Sequence, residues 1–438
     1  MTYPFVVGPV AGDEAELPAM FAVRQRFDVL PAVDVLAALE DEWPRALAPL
    51  SALAPGAAIA VAVGSRGIAD IAVLVRGLVA RLSAAGFEPF IVPAMGSHGG
   101  ATAEGQAQVL THLGVTEAAV GAPIRATMEV VSLGEVEGIP LLLDRFAWEA
   151  DGIVLVNRVK PHTDFVGPVE SGLMKQLTIG LGKQAGAEYY HRLGVVRGMA
   201  ETIPAAARAV MDRANIVFGV ALVENEAKRV GVVRIVAPEE LEEAESGLLD
   251  VARRHLPGLP LDDIDLLILD EMGKNISGVG LDPNVTGRDV VSWSAHRRRP
   301  RVLRIFVRGL SAASHGNATG VGNADAVAVR LVDALDGAKT AVNGLTSCSP
   351  DDVRIPLVFA CDRDAVFALL TTIRPTTADD VRVVYVRNTL DVERLWVSAG
   401  CLAHLPAAPA VAVDPAPRRL PFDAAGNLRS PFTGRAGA

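Results

Sequence analysis

The segment AIAVAVGSRGIADIAVLVRGLVARLSAAGFEPFIVPAMG, residues 58–96, decides how this chain folds. It opens with a short run rich in Val and Ile, continues with a longer stretch in which apolar residues recur every three to four positions, and closes with a second short apolar run. Short continuous apolar runs are typical of buried parallel strands, and the spacing between them is typical of a crossover helix. The segment therefore predicts a strand, a helix and a second, parallel strand.

The same alternation continues through the rest of the chain and predicts an α/β fold with mostly parallel sheets. Further apolar runs predict strands at 152–159, 215–223, 264–272, 301–310 and 381–388. Helical spacing predicts helices at 68–86, 103–114, 198–214 and 325–335.

The length of the chain, 438 residues, exceeds what a single hydrophobic core usually supports, so we expect two domains. HLPGLP, residues 255–260, is the best candidate for a linker. We therefore predict an N-terminal α/β catalytic and cofactor-binding domain at 1–258 and a C-terminal α/β domain at 262–403. Residues 404–438 are rich in Pro and Ala and are expected to cross the surface in an extended form.

Composition excludes several classes of protein. A formal net charge of -10 argues against a nucleic-acid partner, whose phosphates would be repelled. No apolar run approaches the roughly 20 residues of a membrane span. Residues 1–17 lack the basic start and apolar core of a signal peptide, so a cytoplasmic location is expected. Three cysteines without C-x-x-C spacing provide no disulfide framework and no zinc-binding motif.

Polar residues follow the predicted strands at their carboxyl ends. Arg66, His98 and His162 do so in the first series of strands, and Lys274 and His315 do so in the second. Ligands of open parallel sheets bind at that edge, because the loops there converge on a crevice. We therefore expect an active site in a cleft between the two domains.

Two segments carry the chemistry. VNRVKPHTDFVGPVESGLMKQLTIGLGKQAGAEYYH, residues 156–191, places His162, Lys175 and His191 in one stretch. PAMGSHGGATAEGQ, residues 93–106, places His98 in a glycine-flanked turn. Core packing does not require such a set of a base, an amine and a metal-type ligand.

Together these segments resemble the nickel-pincer lactate racemase family, isomerases of 2-hydroxy acids. The resemblance implies that His98 and His162 are the acid/base pair and that His191 binds nickel. It implies that Lys175 carries a nickel pincer nucleotide, a pyridinium thioamide/thiocarboxylate mononucleotide, with Lys183 as the competing lysine. Arg66, in GSRG, matches an arginine that holds the substrate carboxylate.

Further contacts are expected around these residues. Gly172 would let a bulky cofactor approach the backbone beside Lys175. In GKNISGVGLDPNVTGR, residues 273–288, Lys274 and Asn275 are candidate cofactor contacts and Arg288 is a candidate substrate contact. His315, in SHGNATGVG, is a further candidate for substrate binding, although it could simply cap a helix.

The resemblance implies a racemase or epimerase that works by reversible hydride transfer. The Cα proton of a 2-hydroxy acid is too weakly acidic for a simple base, so hydride leaves and returns to the opposite face while one histidine serves each enantiomer. Val63 and Gly99 stand where the family has an aspartate and an arginine. We therefore expect a 2-hydroxy acid larger or more polar than lactate, such as a sugar acid, together with partner enzymes that mature the cofactor.

Two other classes of function remain open. A hydrolase or lyase of a small anionic substrate could use a histidine-bound zinc or iron, with Asp164 or Glu170 as its general base. A non-catalytic protein could bind an anionic ligand in the same loops. Only the racemase predicts nickel together with a covalent nucleotide adduct.

Overall fold

The computed structural model describes residues 5–27, 29–64, 67–290, 299–373, 377–407 and 410–432. The chain forms two compact units. Residues 28–256 form the middle unit, and residues 1–27 together with 257–438 form the terminal unit. Among the described residues, no helix combines the length and the apolar character needed to cross a membrane.

Strands and helices alternate along most of the chain, as the α/β prediction requires. The strands, in chain order, are β1 (Val6–Val7), β2 (Met20–Gln25), β3 (Ala58–Val63), β4 (Glu88–Pro93), β5 (Val130–Val136), β6 (Ile139–Asp144), β7 (Gly152–Arg158), β8 (Ile216–Glu224), β9 (Val230–Val236), β10 (Asp263–Leu269), β11 (Arg301–Val307), β12 (Ala326–Ala328), β13 (Leu357–Phe359), β14 (Val383–Asn388), β15 (Asp391–Ser398) and β16 (Val411–Val413).

The helices are α1 (Val35–Glu42), α2 (Pro44–Leu50), α3 (Ile71–Ala84), α4 (Ala103–His112), α5 (Glu117–Val120), α6 (Arg145–Trp148), α7 (Leu173–Lys175), α8 (Lys183–Arg197), α9 (Met199–Met211), α10 (Leu241–Arg254), α11 (Pro283–Thr286), α12 (Val329–Asp333), α13 (Gly337–Thr346) and α14 (Asp362–Leu370). Short 3₁₀ turns lie between several of them, and a π-helical turn, Gln176–Gly180, directly follows α7.

The main sheet of the middle unit has the strand order β4-β3-β7-β8-β9. Strands β4, β3, β7 and β8 run parallel, and β9 returns antiparallel to β8. Ile59, Val61 and Val63 of β3 are completely buried, because β3 lies inside the sheet between β4 and β7. Helix α3 packs against this core through apolar residues at helical spacing, among them Leu74 and Leu78.

The terminal unit contains a nine-stranded sheet of order β1-β13-β12-β11-β10-β14-β15-β2-β16. The strands from β1 to β14 in this order are parallel, and β15, β2 and β16 are antiparallel to their neighbours. The prediction of an α/β fold with mostly parallel sheets is confirmed. Every strand predicted from the sequence is present, whereas the predicted helix at 325–335 begins as strand β12 and becomes helical only from Val329.

The boundaries of the units differ from the predicted ones at both ends of the chain. Residues 1–27, predicted within the first domain, join the terminal unit because β2 pairs with β15 and with β16. The tail does more than cross the surface: β16 extends the sheet, and Leu428 and Phe432 are buried in its core. Arg308 donates a hydrogen bond to the backbone carbonyl of Leu428, which fixes the tail to β11.

Candidate active site

The loop that carries His162 begins where β7 ends and is held in shape by Glu170. This buried carboxylate accepts hydrogen bonds from the backbone N–H of His162 at 2.5 Å and of Gly167 at 3.1 Å. It also pairs with the Arg253 guanidinium at 2.6 Å. Glu170 therefore clamps the loop to helix α10 and fixes the backbone under His162.

The imidazole of His162 is fixed on three sides. It stacks on Phe165 with ring centroids 4.5 Å apart, and its Nδ1 accepts a hydrogen bond from the Asp164 backbone N–H at 3.0 Å. Its Nε2 contacts the Lys175 Nζ. The imidazole of His162 is therefore held between an aromatic ring, a backbone N–H and the Lys175 amine.

Lys175 lies at the end of α7, where the chain enters the π-helical turn. The start of α7 is capped by Glu245 from α10, whose Oε2 accepts a hydrogen bond from the Met174 backbone N–H at 2.9 Å. A Cβ at Gly172 would overlap the Glu245 carboxyl, so Gly172 leaves space for this cap. The structure thus places a carboxyl group of the protein at the position where the sequence suggested approach of a cofactor. Burial raises the pKa of Glu245 to about 7.

Gln176, next to Lys175, ties the same helical segment to the sheet. Its buried Nε2 donates to the backbone carbonyls of Ala62 at 3.1 Å and Val156 at 2.9 Å, near the carboxyl ends of β3 and β7. Asn157 Nδ2 donates to the Gly172 carbonyl at 2.9 Å. Lys175 is therefore anchored, through its neighbours, to two adjacent strands.

Lys183, the competing lysine, occupies a different environment from Lys175. Its side chain is completely buried and pairs with Asp144 at 2.9 Å. It also donates to Gln106 Oε1 at 3.0 Å and to the Pro93 carbonyl. Burial lowers the pKa of Lys183 against the opposing effect of Asp144, and burial likewise raises the pKa of Asp144. Lys183 thus serves as an internal crosslink between α8, β6 and the end of β4.

His98 lies in the turn that this crosslink supports. Gln106 Nε2 donates to the Gly96 carbonyl at 2.7 Å, and the Gly96 N–H donates to the Gly180 carbonyl in the π-helical turn at 3.0 Å. Gly96 has a φ of +58°, which a glycine adopts without strain. The backbone of the His98 turn is therefore joined directly to the segment that follows Lys175.

His191 lies on α8 and is half-buried. Burial, together with the nearby Lys175, lowers the pKa of His191 to about 4 against the opposing effect of the Asp164 carboxylate. At neutral pH the imidazole is uncharged, which is the form that binds metals. Among the described residues, no group of three or more His, Cys, Asp or Glu side chains could by itself hold a metal ion.

Arg66 lies outside the described residues. Beside its loop, the structure reveals an ion pair that the sequence did not point to. Glu224, at the end of β8, contacts the Arg158 guanidinium and accepts a hydrogen bond from the Ala69 backbone N–H at 2.6 Å. The carboxyl ends of β7 and β8 are thus linked to the segment just after GSRG.

In the terminal unit, Lys274 and His315 lie in two loops that contact each other after β10 and β11. The Lys274 backbone N–H donates to Ser314 Oγ at 2.9 Å, and the Lys274 amine donates to the Gly278 carbonyl. His315 adopts a φ of +49°, and its carbonyl accepts from Lys339 at 2.6 Å. The prediction that these loops share a cleft with His98 and His162 stays a prediction.

Arg288 is engaged elsewhere in the terminal unit. Its guanidinium pairs with Asp325 and donates to the carbonyls of Val302 at 2.9 Å and Leu303 at 2.7 Å, near the start of β11. These contacts hold it away from the carboxyl end of β11, where the His315 loop begins. Asn275, in the Lys274 loop, directs its Oδ1 to the space beside the Gly273 Cα.

Sequence reasoning missed the carboxylates that position the site. Asp144, Glu224 and Glu245 are each far in sequence from the residues they hold. Gln176 could have been noticed, because it directly follows Lys175, but nothing in the sequence predicted its contacts with Ala62 and Val156.

Comparisons with known proteins add little to this geometry. No protein-family model and no curated protein matches the chain. Among solved structures, the lactate racemase apoprotein from Thermoanaerobacterium thermosaccharolyticum is similar with a TM-score of 0.41 and 13% sequence identity. The alignment covers 70% of this chain and 73% of that chain. A similarity of this size does not assign a function.

Proposed function

We propose that this protein is a nickel-pincer-dependent racemase or epimerase of a 2-hydroxy acid. Lys175 carries the cofactor, His191 ligates the nickel, and His98 and His162 exchange protons with the substrate. The observation that carries the proposal is the contact between the Lys175 amine and His162 Nε2. It brings together the proposed attachment point and a proposed base, which are separated by a loop in the sequence.

The residues around Lys175 fit such a cofactor. Lys175 is half-buried and offers an amine that can be acylated, whereas Lys183 is locked into its ion pair with Asp144. Lys175 lies close enough to His191 to lower the pKa of His191, and a neutral imidazole is a donor that suits nickel. When bound, the pincer nucleotide would supply a hydride-accepting ring tuned by its metal.

The chain itself would supply orientation and proton transfer. Acylation would convert the Lys175 amine into a non-basic, amide-type nitrogen, so His162 Nε2 would exchange its proton with the substrate hydroxyl instead of with the lysine. Glu170 and Phe165 hold the imidazole in place for this exchange. His98 would serve the opposite enantiomer, since inversion needs a base for each face.

We propose that Arg66 holds the substrate carboxylate through its planar guanidinium. Val63 stands where the lactate racemase family has an aspartate, and Gly99 stands where it has an arginine. The substrate is therefore proposed to be larger or more polar than lactate, for example a sugar acid. Lys274, Asn275 and His315 remain proposed contacts. Arg288 is a weaker proposal, because its guanidinium already binds Asp325 and backbone carbonyls.

Attachment can be tested by mass spectrometry. The chain would be produced with cofactor-synthesis enzymes and analysed as intact protein and as peptides, together with its nickel content. We expect a nucleotide adduct on the peptide containing Lys175, lost in Lys175→Arg and retained in the matched control Lys228→Arg at an exposed site. An adduct on Lys183, or no adduct at all, would contradict the assignment.

Substrate class can be tested with the matured protein and a panel of chiral 2-hydroxy acids. Turnover of at least one pair of enantiomers or epimers is expected. Zinc or iron without an adduct, together with hydrolysis or elimination, would favour the hydrolase or lyase. Binding of anions without any turnover would favour a binding protein.

A further inference from the structure

The terminal unit contains a pocket of about 630 Å³ on the face of the sheet formed by β2, β15 and β16. The C-terminal tail closes one side of it through Ser430, Pro431 and Phe432. All residues that line the pocket belong to the terminal unit, whereas His98, His162 and Lys175 belong to the middle unit. The residues proposed to act in racemisation do not contribute to this pocket.

The lining is strongly basic. It contains four arginines and one aspartate, a formal charge of +3, in a chain whose net charge is -10. The arginines are Arg24, Arg394, Arg418 and Arg429. Such a concentration of one sign in a concave surface attracts anions, because the field is focused there.

The strand register brings two of these arginines together. Arg24 on β2 and Arg394 on β15 are direct cross-strand partners. Like charges in this position destabilise a sheet unless counter-charge is present. Arg24 has Glu393 at 2.7 Å, but no described residue makes a hydrogen bond or ion pair with the guanidinium of Arg394. Of the two guanidinium groups, only that of Arg24 therefore has a carboxylate partner among the described residues.

Aromatic side chains fix the base of the pocket. Trp396 is the neighbour of Ala22 across the strands, and the Arg418 guanidinium lies 5.6 Å from the centroid of its ring. Asp414 holds Arg418 at 2.6 Å. Phe432 packs edge-on against Tyr385 with centroids 5.2 Å apart. Arg418 is thus oriented by a ring and a carboxylate, as expected for a group that must present its remaining N–H donors to a ligand.

We infer that this pocket binds a compact oligoanion, a small molecule carrying two or more phosphate or carboxylate groups. Guanidinium groups bind both kinds of anion through paired N–H donors. The volume accommodates a molecule of this class, since small-ligand sites occupy about 300 to 1,000 Å³. An oligoanion would supply the counter-charge that Arg394 lacks.

The test is calorimetric titration of the full-length chain, without cofactor maturation, using inorganic pyrophosphate in one series and citrate in another. Binding of pyrophosphate alone would assign phosphate, binding of citrate alone would assign carboxylate, and binding of both would assign charge as the shared requirement. We expect Arg394→Gln to weaken binding by about tenfold or more, as for loss of a charge-assisted pair. Arg301→Gln, at an exposed site of the same unit, should change it less than about twofold.

A second measurement does not depend on one variant. Ligand that binds the folded state raises the midpoint of thermal unfolding, so a rise of a few degrees with saturating pyrophosphate or citrate is expected and should be absent in Arg24→Gln/Arg394→Gln. Potassium chloride of matched ionic strength provides the control for screening. The inference is overturned if neither anion binds, or if Arg394→Gln and Arg301→Gln bind equally well.

Discussion

The strand-end loops of the two units use their polar groups differently. In the middle unit, side chains hold side chains: His162 contacts Lys175, and Lys183 pairs with Asp144. In the terminal unit, the predicted site residues mainly hold the backbone, as Lys274 does with the Gly278 carbonyl and Arg288 with Val302, whereas side-chain pairing is carried by Arg308, which binds Asp270 and Asp362. A side chain committed to its own backbone is less available for chemistry, so Lys274 and Arg288 are weaker candidates for acid/base residues than His162 and Lys175.

The largest expected effect concerns His98 and His162. Changing either to alanine should lower racemisation by about 10²-fold to 10⁴-fold, because each removes a proton-transfer group. In a single turnover each variant should still consume one enantiomer, and the two variants should consume opposite enantiomers. Chiral chromatography after rapid quench would measure this.

Nickel content supplies the control for these variants. It should be unchanged in His98→Ala and His162→Ala and should be lost in His191→Ala. Near-normal racemisation in both base variants, or loss of nickel from both, would show that His98 and His162 are not the acid/base pair.

The second largest effect is expected at Lys183, whose ion pair with Asp144 should stabilise the fold. Lys183→Met leaves the Asp144 carboxylate buried without its partner and should lower the free energy of unfolding by about 3 to 5 kcal/mol. The double variant Lys183→Met/Asp144→Asn should recover part of this loss. Urea unfolding followed by circular dichroism would measure it, with the exposed Lys228→Met as the matched control. Equal stability of Lys183→Met and Lys228→Met would argue against a buried crosslink.

A smaller effect is expected at Glu245, whose native pKa of about 7 lies above the ordinary glutamate value of 4.5. Because the native state binds this proton more tightly, its contribution to stability is full below pH 4.5 and is lost as the pH rises through 7. The free energy of unfolding should therefore fall by about 1 to 3 kcal/mol between pH 5 and pH 8. Glu245→Gln should remove this fall, whereas the exposed Glu243→Gln should retain it. Urea unfolding at both pH values would decide, and an unchanged slope in Glu245→Gln would exclude Glu245 as its source.

The smallest effect is expected in the terminal unit. His315→Ala keeps the backbone carbonyl that Lys339 contacts, so stability should change by less than about 1 kcal/mol. Its effect on turnover should be below about tenfold if His315 only contacts the substrate. A loss as large as that of His162→Ala, measured in the same racemisation assay, would remove the distinction between the two sets of loops.

Local sequence pattern determined much of the architecture. Apolar runs and helical spacing predicted every major parallel strand, including β3, β4 and β7, because burial on both faces of a strand is visible in its own residues. Because His98 follows β4 and His162 follows β7, the predicted strand ends also indicated that both histidines lie in loops at one edge of the sheet. The pattern failed at 326–328, where three small apolar residues form strand β12 instead of the start of a helix.

Tertiary structure decided what local pattern could not. β2 joins the terminal unit because its pairing partner, β15, lies more than 350 residues away, and backbone pairing over such a separation leaves no trace in either strand's periodicity. The same reason explains why Lys175 and Lys183 have different environments. Both follow glycine-rich turns in one segment, but only the fold brings Asp144 to Lys183 and His162 to Lys175, so the partners of each lysine are decided by tertiary structure.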